Sequence, residues 1–348
     1  MKKSLLAVAL LGAFAGVAQA QTAVQIYGTV DAGITKRSDQ TLAIGKRANN
    51  TLGFKGTEDL GNGLKALFQL EIRYEPDTGT IEQGAGGVQR PLFQGQSRVG
   101  LQGDFGMVRL GRGLTAFQES STAFEPWHGL PTPAGFQTDL QVAGYTSDPL
   151  GYAGNSTNRF SNAIFYNSPE IMGFQLNTTI GMKEAFGAAF TGRGTALQPQ
   201  YPVGTEASIL PYSVTGTYKN GPAAFMLASE RNAVETRLYS IAGSVMATPE
   251  LKLMASYQRQ NQDHSVRVNP ITKAWILGAN YTMGPGKILA GYGQKSPDGI
   301  AKTKQASLGY EYSLSKRTYV YADASRKKGG VQVPVTINTY SLGVNHAF

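Results

Sequence analysis

The sequence predicts an all-β protein, a 16-stranded antiparallel transmembrane β-barrel, and three observations carry that expectation. Apolar and polar residues alternate over runs of ~9–12 residues, longer than the ~5–6 of soluble strands and matched to a tilted bilayer crossing. The connections between these runs alternate between short and long. No stretch of ~18 apolar residues follows residue 20, so no membrane-spanning helix is available.

The chain opens with MKKSLLAVALLGAFAGVAQA. Lys2 and Lys3 form a positive n-region, Leu5 to Val17 an apolar core, and Ala18-Gln19-Ala20 a small-x-small cleavage site. Residues 1–20 are therefore expected to be a cleaved signal peptide and 21–348 the barrel domain. Cleavage removes two of the 32 basic residues and none of the 23 acids, leaving 328 residues with net charge +7. The chain has no cysteine, which removes disulfides, thiol catalysis, zinc-thiolate and Fe–S chemistry together. The basic residues are dispersed rather than blocked, so no nucleic-acid partner is expected.

Forty-three glycines, 17 tyrosines and 15 phenylalanines point to a turn-rich β structure. A mean hydropathy of −0.22 suits a membrane protein only if polar residues alternate with apolar ones and face water. They do alternate. Val24, Ile26, Val30 and Ile34 interleave with Gln25, Thr29 and Asp31; Leu64, Ala66, Phe68, Leu70 and Ile72 interleave with Lys65, Gln69, Glu71 and Arg73. The same period of two runs through Trp275, Leu277, Ala279 and Tyr281, and through Ala306, Leu308, Tyr310 and Tyr312.

Sixteen such segments are expected, near 23–35, 49–57, 63–73, 94–103, 106–112, 157–167, 173–181 and 211–219 in the first half. The second half supplies 222–230, 236–247, 250–260, 272–283, 286–294, 303–313, 316–326 and 338–348. Short connections such as Glu58–Asn62, Asp104-Phe105, Asn220-Gly221 and Gly284-Pro285 carry hairpin turn formers. Between them fall the long connections 36–48, 74–93, 113–156, 182–210, 231–235, 261–271, 295–302 and 327–337. Sorting by parity is the mark of an up-and-down barrel with turns on one side of a membrane and loops on the other. A large soluble sandwich would mix loop lengths and would have no use for an outer face rich in Tyr and Phe.

The stretches LGFKGTEDLGNGLKALFQLE (52–71), VGLQGDFGMVRLGRG (99–113), IFYNSPEIMGF (164–174), LSKRTYVYADASR (314–326) and the closing LGVNHAF resemble the general porins of Gram-negative bacteria, nearest those of β-proteobacteria. The resemblance spans the mature chain. It implies an inward-folded third loop, a homotrimer and passive diffusion of small solutes and ions across the cell outer membrane. It also implies contact with outer-membrane lipids and lipopolysaccharide, and delivery by the barrel-assembly machinery. No cofactor is implied, and no enzymatic activity.

The family's third loop narrows the barrel; here it matches 113–156, with Glu119, Glu125, Trp127, His128, Asp139 and Asp148. Glu119 and Glu125 are the acids expected to face the lumen. Of the arginines the family sets opposite this loop, Arg159 matches by its place seven residues before Tyr166. Thr51 and Gly95 stand where two further arginines are expected. Lys65, Arg73, Arg98 and Arg112 fall on lumen-facing positions and are expected to supply wall charge in their stead. Positive wall charge favours anions. A channel preferring organic anions or oligosaccharides is the alternative, suggested by the arginines missing at Thr51 and Gly95 and by Trp127; a loop-based barrel enzyme or adhesin is a remote one.

Chemistry-bearing motifs are otherwise absent. His128, His264 and His346 are not spaced as metal ligands, and there is neither a Gly-x-Ser-x-Gly nor a His-Glu-x-x-His stretch. No helical period follows residue 20, so no partner helix or coiled coil is implied. The final strand presents Tyr340, Leu342, Val344, His346 and Phe348 to lipid and closes the sheet against the strand starting near Ala23. Phe348 also resembles the terminal aromatic read by the assembly machinery. Deleting Phe348 should lower the yield of assembled oligomer and leave the conductance of surviving channels unchanged. Normal yield on a heat-modifiable gel band would contradict that role.

Overall fold

A computed structural model describes residues 23–84, 89–150, 158–183, 209–262, 271–329 and 335–348. The expected signal peptide, much of the fourth and sixth long connections, and His264 lie outside the described residues. The wall strands are β1 (Ala23–Arg37), β3 (Asn50–Gly61), β4 (Leu64–Tyr74), β5 (Gln96–Gly103), β6 (Gly106–Leu114), β7 (Arg159–Asn167), β8 (Phe174–Gly181) and β9 (Tyr212–Asn220). They continue as β10 (Ala223–Arg231), β11 (Arg237–Met246), β12 (Leu251–Asn261), β13 (Ile271–Met283), β14 (Gly286–Pro297), β15 (Thr303–Ser313), β16 (Thr318–Gly329) and β17 (Val335–Ala347). All sixteen expected strands are present, each antiparallel to its sequence neighbours.

The sheet closes where β1 pairs with β17, from Thr29 opposite Ala347 to Arg37 opposite Thr339. Phe348 completes the seam: its N–H donates to the Gly28 carbonyl and its carbonyl accepts from the Gly28 N–H, both at 3.1 Å. On its other edge β1 pairs with β3 only over residues 23–29. The exposed remainder is covered by a short extra strand, β2 (Ala43–Gly45), lying against Gly33–Thr35. The sequence reading missed β2 because three residues carry no detectable period. Short turns take the backbone the hairpin needs, with Gly221 at φ 54° and Gly284 at φ 57°.

Closure sorts the side chains. Leu277 (56% exposed) and Leu308 (57%) are typical of the outer wall, while Ile276 and Leu289 on the inner wall are buried. What buries them is the connection between β6 and β7, residues 115–158. It begins with a helix, α1 (Ala116–Ser121), capped by the Thr115 hydroxyl, which accepts from the Gln118 N–H at 3.3 Å. A 3-10 turn, Thr122–Phe124, follows. The sequence gives no sign of this helix, because six residues are too few to print a helical period.

The loop lies along the inner faces of β10–β16. Phe117, Phe124 and Tyr145 pack on Met226, Leu238, Ala242 and Ala274; Trp127, Phe136 and Leu140 pack on Ile276 and Leu289. Burying each large apolar side chain contributes ~1.5–3 kcal/mol. Glycines clear the seat. A Cβ on Gly291 would stand 2.5 Å from the Phe136 ring, one on Gly293 2.7 Å from Leu140, and one on Gly278 would overlap the Pro126 ring.

Polar groups then fix the register. Gln305 donates from Nε2 to the carbonyls of Pro133, Ala134 and Gly135 at 3.0–3.2 Å, and Asn280 donates to the Pro126 carbonyl at 3.1 Å. Replacing Gly291 by leucine should push Phe136 off the wall. We expect a higher single-channel conductance and a loss of about 1–3 kcal/mol in unfolding stability, measured by planar-bilayer recording and thermal melts.

Candidate functional site

The start of this loop meets charged side chains of strands β4–β7. Glu119, in the first turn of α1, is held by two guanidinium groups: Arg98 Nη1 on β5 at 3.0 Å and Arg109 Nη2 on β6 at 3.4 Å. Arg98 also donates from Nε and Nη2 to Gln69 Oε1 at 3.3 and 3.1 Å. Arg112 donates from Nε to the Gln94 carbonyl at 3.1 Å and from Nη1 to Ser161 Oγ at 2.6 Å. Arg159, on the first residue of β7, donates from Nε to the Gly95 carbonyl at 2.6 Å and from Nη1 to Asn158 Oδ1 at 2.7 Å. Arg73 on β4 lies 3.7 Å from Glu71. Arg73 and Arg112 are electrostatic neighbours of Arg159, and Arg90 of the preceding loop adjoins Arg73 and Arg112.

Four expected wall cations, Arg73, Arg98, Arg112 and Arg159, are thus gathered on one side of the barrel. Thr51 is half-buried directly opposite Arg73 in the β3–β4 register, so β4 supplies a cation beside the threonine. At Gly95 the space of a side chain is taken by the Glu71 carboxylate, which a Cβ there would overlap. Lys65 does not join the group. It is exposed at the short-turn end of β4, opposite Asp59, ~26 Å along the strand from Arg73.

Glu125 departs from its expected place as well. It is fully buried inside the loop, where its carboxylate accepts from the N–H groups of Gly129 (2.8 Å) and Phe136 (3.0 Å). Burial pushes its pKa up to about 7 even though those amides favour the anion. Glu125 folds the loop instead of facing the lumen, because the Gly129 and Phe136 amides of two loop stretches converge on it. Asp139 is the loop's other clamp, bonded to Lys295 of β14 and to Lys327 of β16 at 2.5 Å. Burial alone would raise its pKa, but the two ammonium groups outweigh that and hold it down at about 2.

Sequence reasoning passed over three residues. Arg109 and Arg112 are three apart, which in a regular strand puts them on opposite faces. Both are nevertheless buried (6% and 9% exposed) while Leu110 between them is 51% exposed. Gly111, at φ 127°, and the register shift between β6 and β7 break the period and turn both guanidinium groups inward. The signal was the glycine pair around Arg112.

Arg47 and Asp323 form a second centre across the barrel. The guanidinium of Arg47 meets Asp323 (Nε, 2.9 Å) and Glu311 (Nη1, 2.6 Å), and lies 4.9 Å from the Tyr321 ring centroid. Asp323 also accepts from the Trp127 indole N–H at 3.0 Å, so one carboxylate joins the first and third loops to the wall. Inward parity of Glu311 and Asp323 was readable; a partner on the first loop was not.

The chain is similar to known proteins in sequence and fold. The family model for Gram-negative porins matches residues 7–331. Outer membrane porin protein 32 of Delftia acidovorans is 32% identical, with all of both chains covered. An outer membrane porin protein of Bordetella pertussis is 27% identical over the full length of both. An anion-selective porin from Comamonas acidovorans superposes with a TM-score of 0.75 at 24% identity, covering 94% of this chain and all of that one. The trimer form of OmpT from Vibrio cholerae reaches 0.66 at 14% identity, covering 94% and 99%. These two likenesses show the fold. The family match and the Delftia relative together show that the chain belongs to the Gram-negative porins, diffusion channels of the outer membrane.

Proposed function

We propose that the β6–β7 loop sets the narrowest point of the channel and that arginines facing it make the channel anion-leaning. The observation that carries this reading is an imbalance of charge at the neck. Six guanidinium groups (Arg73, Arg90, Arg98, Arg109, Arg112 and Arg159) surround four carboxylates (Glu71, Glu82, Glu119 and Asp148). Elsewhere Asp139 is matched by two lysines, and Asp323 and Glu311 by Arg47, while Glu125 and Glu230 are buried away from the lumen. The Comamonas porin that shares this fold is anion-selective, which supports the same sign of selectivity here.

The mechanism is electrostatic and involves no bond making. Ions keep most of their hydration in a wide lumen, and a positive neck lowers the barrier for anions while raising it for cations. Lumen charges act through water, so each contributes ~1 kcal/mol at contact distances. Fixed guanidinium groups are needed because they stay charged at any working pH. The relatives are channels, and we propose no catalytic role. A homotrimer is proposed as well, supported by the trimeric Vibrio neighbour. Trp127 does not speak for the oligosaccharide alternative, since it is fully buried and its indole donates to Asp323, leaving no face for a sugar.

A KCl gradient across a planar bilayer tests this reading. The wild-type protein should give a reversal potential of anion-selective sign. Substituting Arg98→Gln and Arg109→Gln removes two cations and frees Glu119. The double variant should lose about two- to tenfold in anion-over-cation permeability, equivalent to about 0.4–1.4 kcal/mol. A cation-selective wild type, or an unchanged double variant, would overturn it.

A further inference from the structure

Two consecutive bases on the first long connection reach in opposite directions. Lys46 and Arg47 follow β2 directly, and β2 is held by its pairing with Gly33–Thr35 of β1. A Cβ on Gly45 would stand 2.8 Å from the Thr35 hydroxyl oxygen, so glycine lets the two strands close up there. The Arg47 N–H donates to Asp31 Oδ1 at 2.6 Å. Asp31 in turn accepts from the Tyr321 hydroxyl at 2.9 Å and from Asn345 Nδ2 at 2.8 Å. The backbone is fixed at this point, and from it the two side chains diverge.

Lys46 reaches the second long connection, where its Nζ lies 2.7 Å from Glu75 and 3.1 Å from Glu82. Glu82 belongs to the charge group at the neck, as an electrostatic neighbour of Arg73 and Arg159. Arg47 reaches the far wall, where Nε and Nη2 donate to the two oxygens of Asp323 at 2.9 and 3.3 Å and Nη1 donates to Glu311. Four carboxylates on either side of the first loop thus share its two cations. Glu82 also has Arg90, and Glu311 also has Lys287. Glu75 and Asp323 have no other ion pair among the described residues.

We propose that the first loop is a second determinant of ion selectivity, in which Lys46 and Arg47 are positioning residues that cancel acids on both sides of it. The sign of their effect rests on the electrostatic reading of the neck. Arginines there bias the channel toward anions only while the acids around them stay neutralised. A carboxylate left unmatched attracts the cations that the neck repels. Arg47 is buried and touches no permeating ion, so it works through Asp323 and Glu311. Lys46 works through Glu75 and Glu82 in the same way.

Reversal potentials of the full-length protein in a KCl gradient test this role. A Lys46→Gln, Arg47→Gln variant should lose about two- to tenfold in anion-over-cation permeability relative to wild type. Adding Glu75→Gln and Asp323→Asn removes the two acids left without a base and should bring the ratio back to the wild-type value. No shift in the double variant would overturn the proposal. So would a shift that persists in the quadruple variant, which would trace the change to a displaced loop instead of to charge. Should the double variant fail to assemble, Glu75→Gln with Glu311→Gln leaves Lys46, Arg47 and Asp323 in place and should raise the preference for anions. An unchanged ratio in that variant would overturn the proposal equally. A cation-selective wild type would sink the neck reading, and the direction of these shifts would still decide the role of the first loop.

Discussion

Every backbone N–H and C=O that crosses lipid must find its partner within the sheet, and the remaining features of this protein follow from that requirement. An open edge is intolerable, so β17 runs out to the last residues and pairs with β1, with Phe348 and Gly28 exchanging the final hydrogen bonds. A closed sheet of alternating side chains has one face in lipid and one in water. The outer row is accordingly Leu, Val, Ile and Tyr. The inner row would be uniformly polar if water were its only neighbour.

It is not uniformly polar, and the exception positions the neck. Met226, Leu238, Ala274, Ile276 and Leu289 point inward and are buried because loop aromatics cover them. Glycines at 278, 291 and 293 bring the loop backbone close. At either end of this apolar seat stands a charged clamp: Glu119 between two arginines, and Asp323 between Arg47 and Trp127. Breaking a buried pair by removing one partner typically costs about 3–5 kcal/mol, so the Arg47–Asp323 clamp, buried at both ends, favours one loop position strongly. On the proposed reading, charge selectivity is a property of a fixed neck, and arginines on the strands do not have to follow a moving loop.

The strands were legible because period two over a bilayer's width is a strong signal, and the hairpin turns because Asn-Gly and Gly-Pro leave few alternatives. β2 and α1 were not legible: three and six residues are stabilised by the wall they touch rather than by their own pattern. At the neck, Arg73, Arg98, Arg112 and Arg159 were reachable through parity or resemblance. Arg109 was hidden by a bulge that breaks parity, and Glu125 was misjudged because an acid in a lumen loop reads the same whether it faces water or folds the loop. Met226, Leu238, Ile276 and Leu289, apolar on lumen-facing rows, were an unread sequence sign of where the loop would dock.

The central claim is that the loop is fixed to the inner wall in the conducting channel. Gly278 of β13 and Pro126 of the loop allow a direct check, because a Cβ at Gly278 would stand 3.6 Å from the Pro126 Cβ, within the span of an unstrained disulfide. The chain has no cysteine, so a Pro126→Cys, Gly278→Cys double variant has a single pair to oxidise. The bond should form in the folded, membrane-extracted protein, and single-channel conductance should be the same before and after reduction. Failure to cross-link, or a conductance that changes severalfold on reduction, would contradict a docked loop.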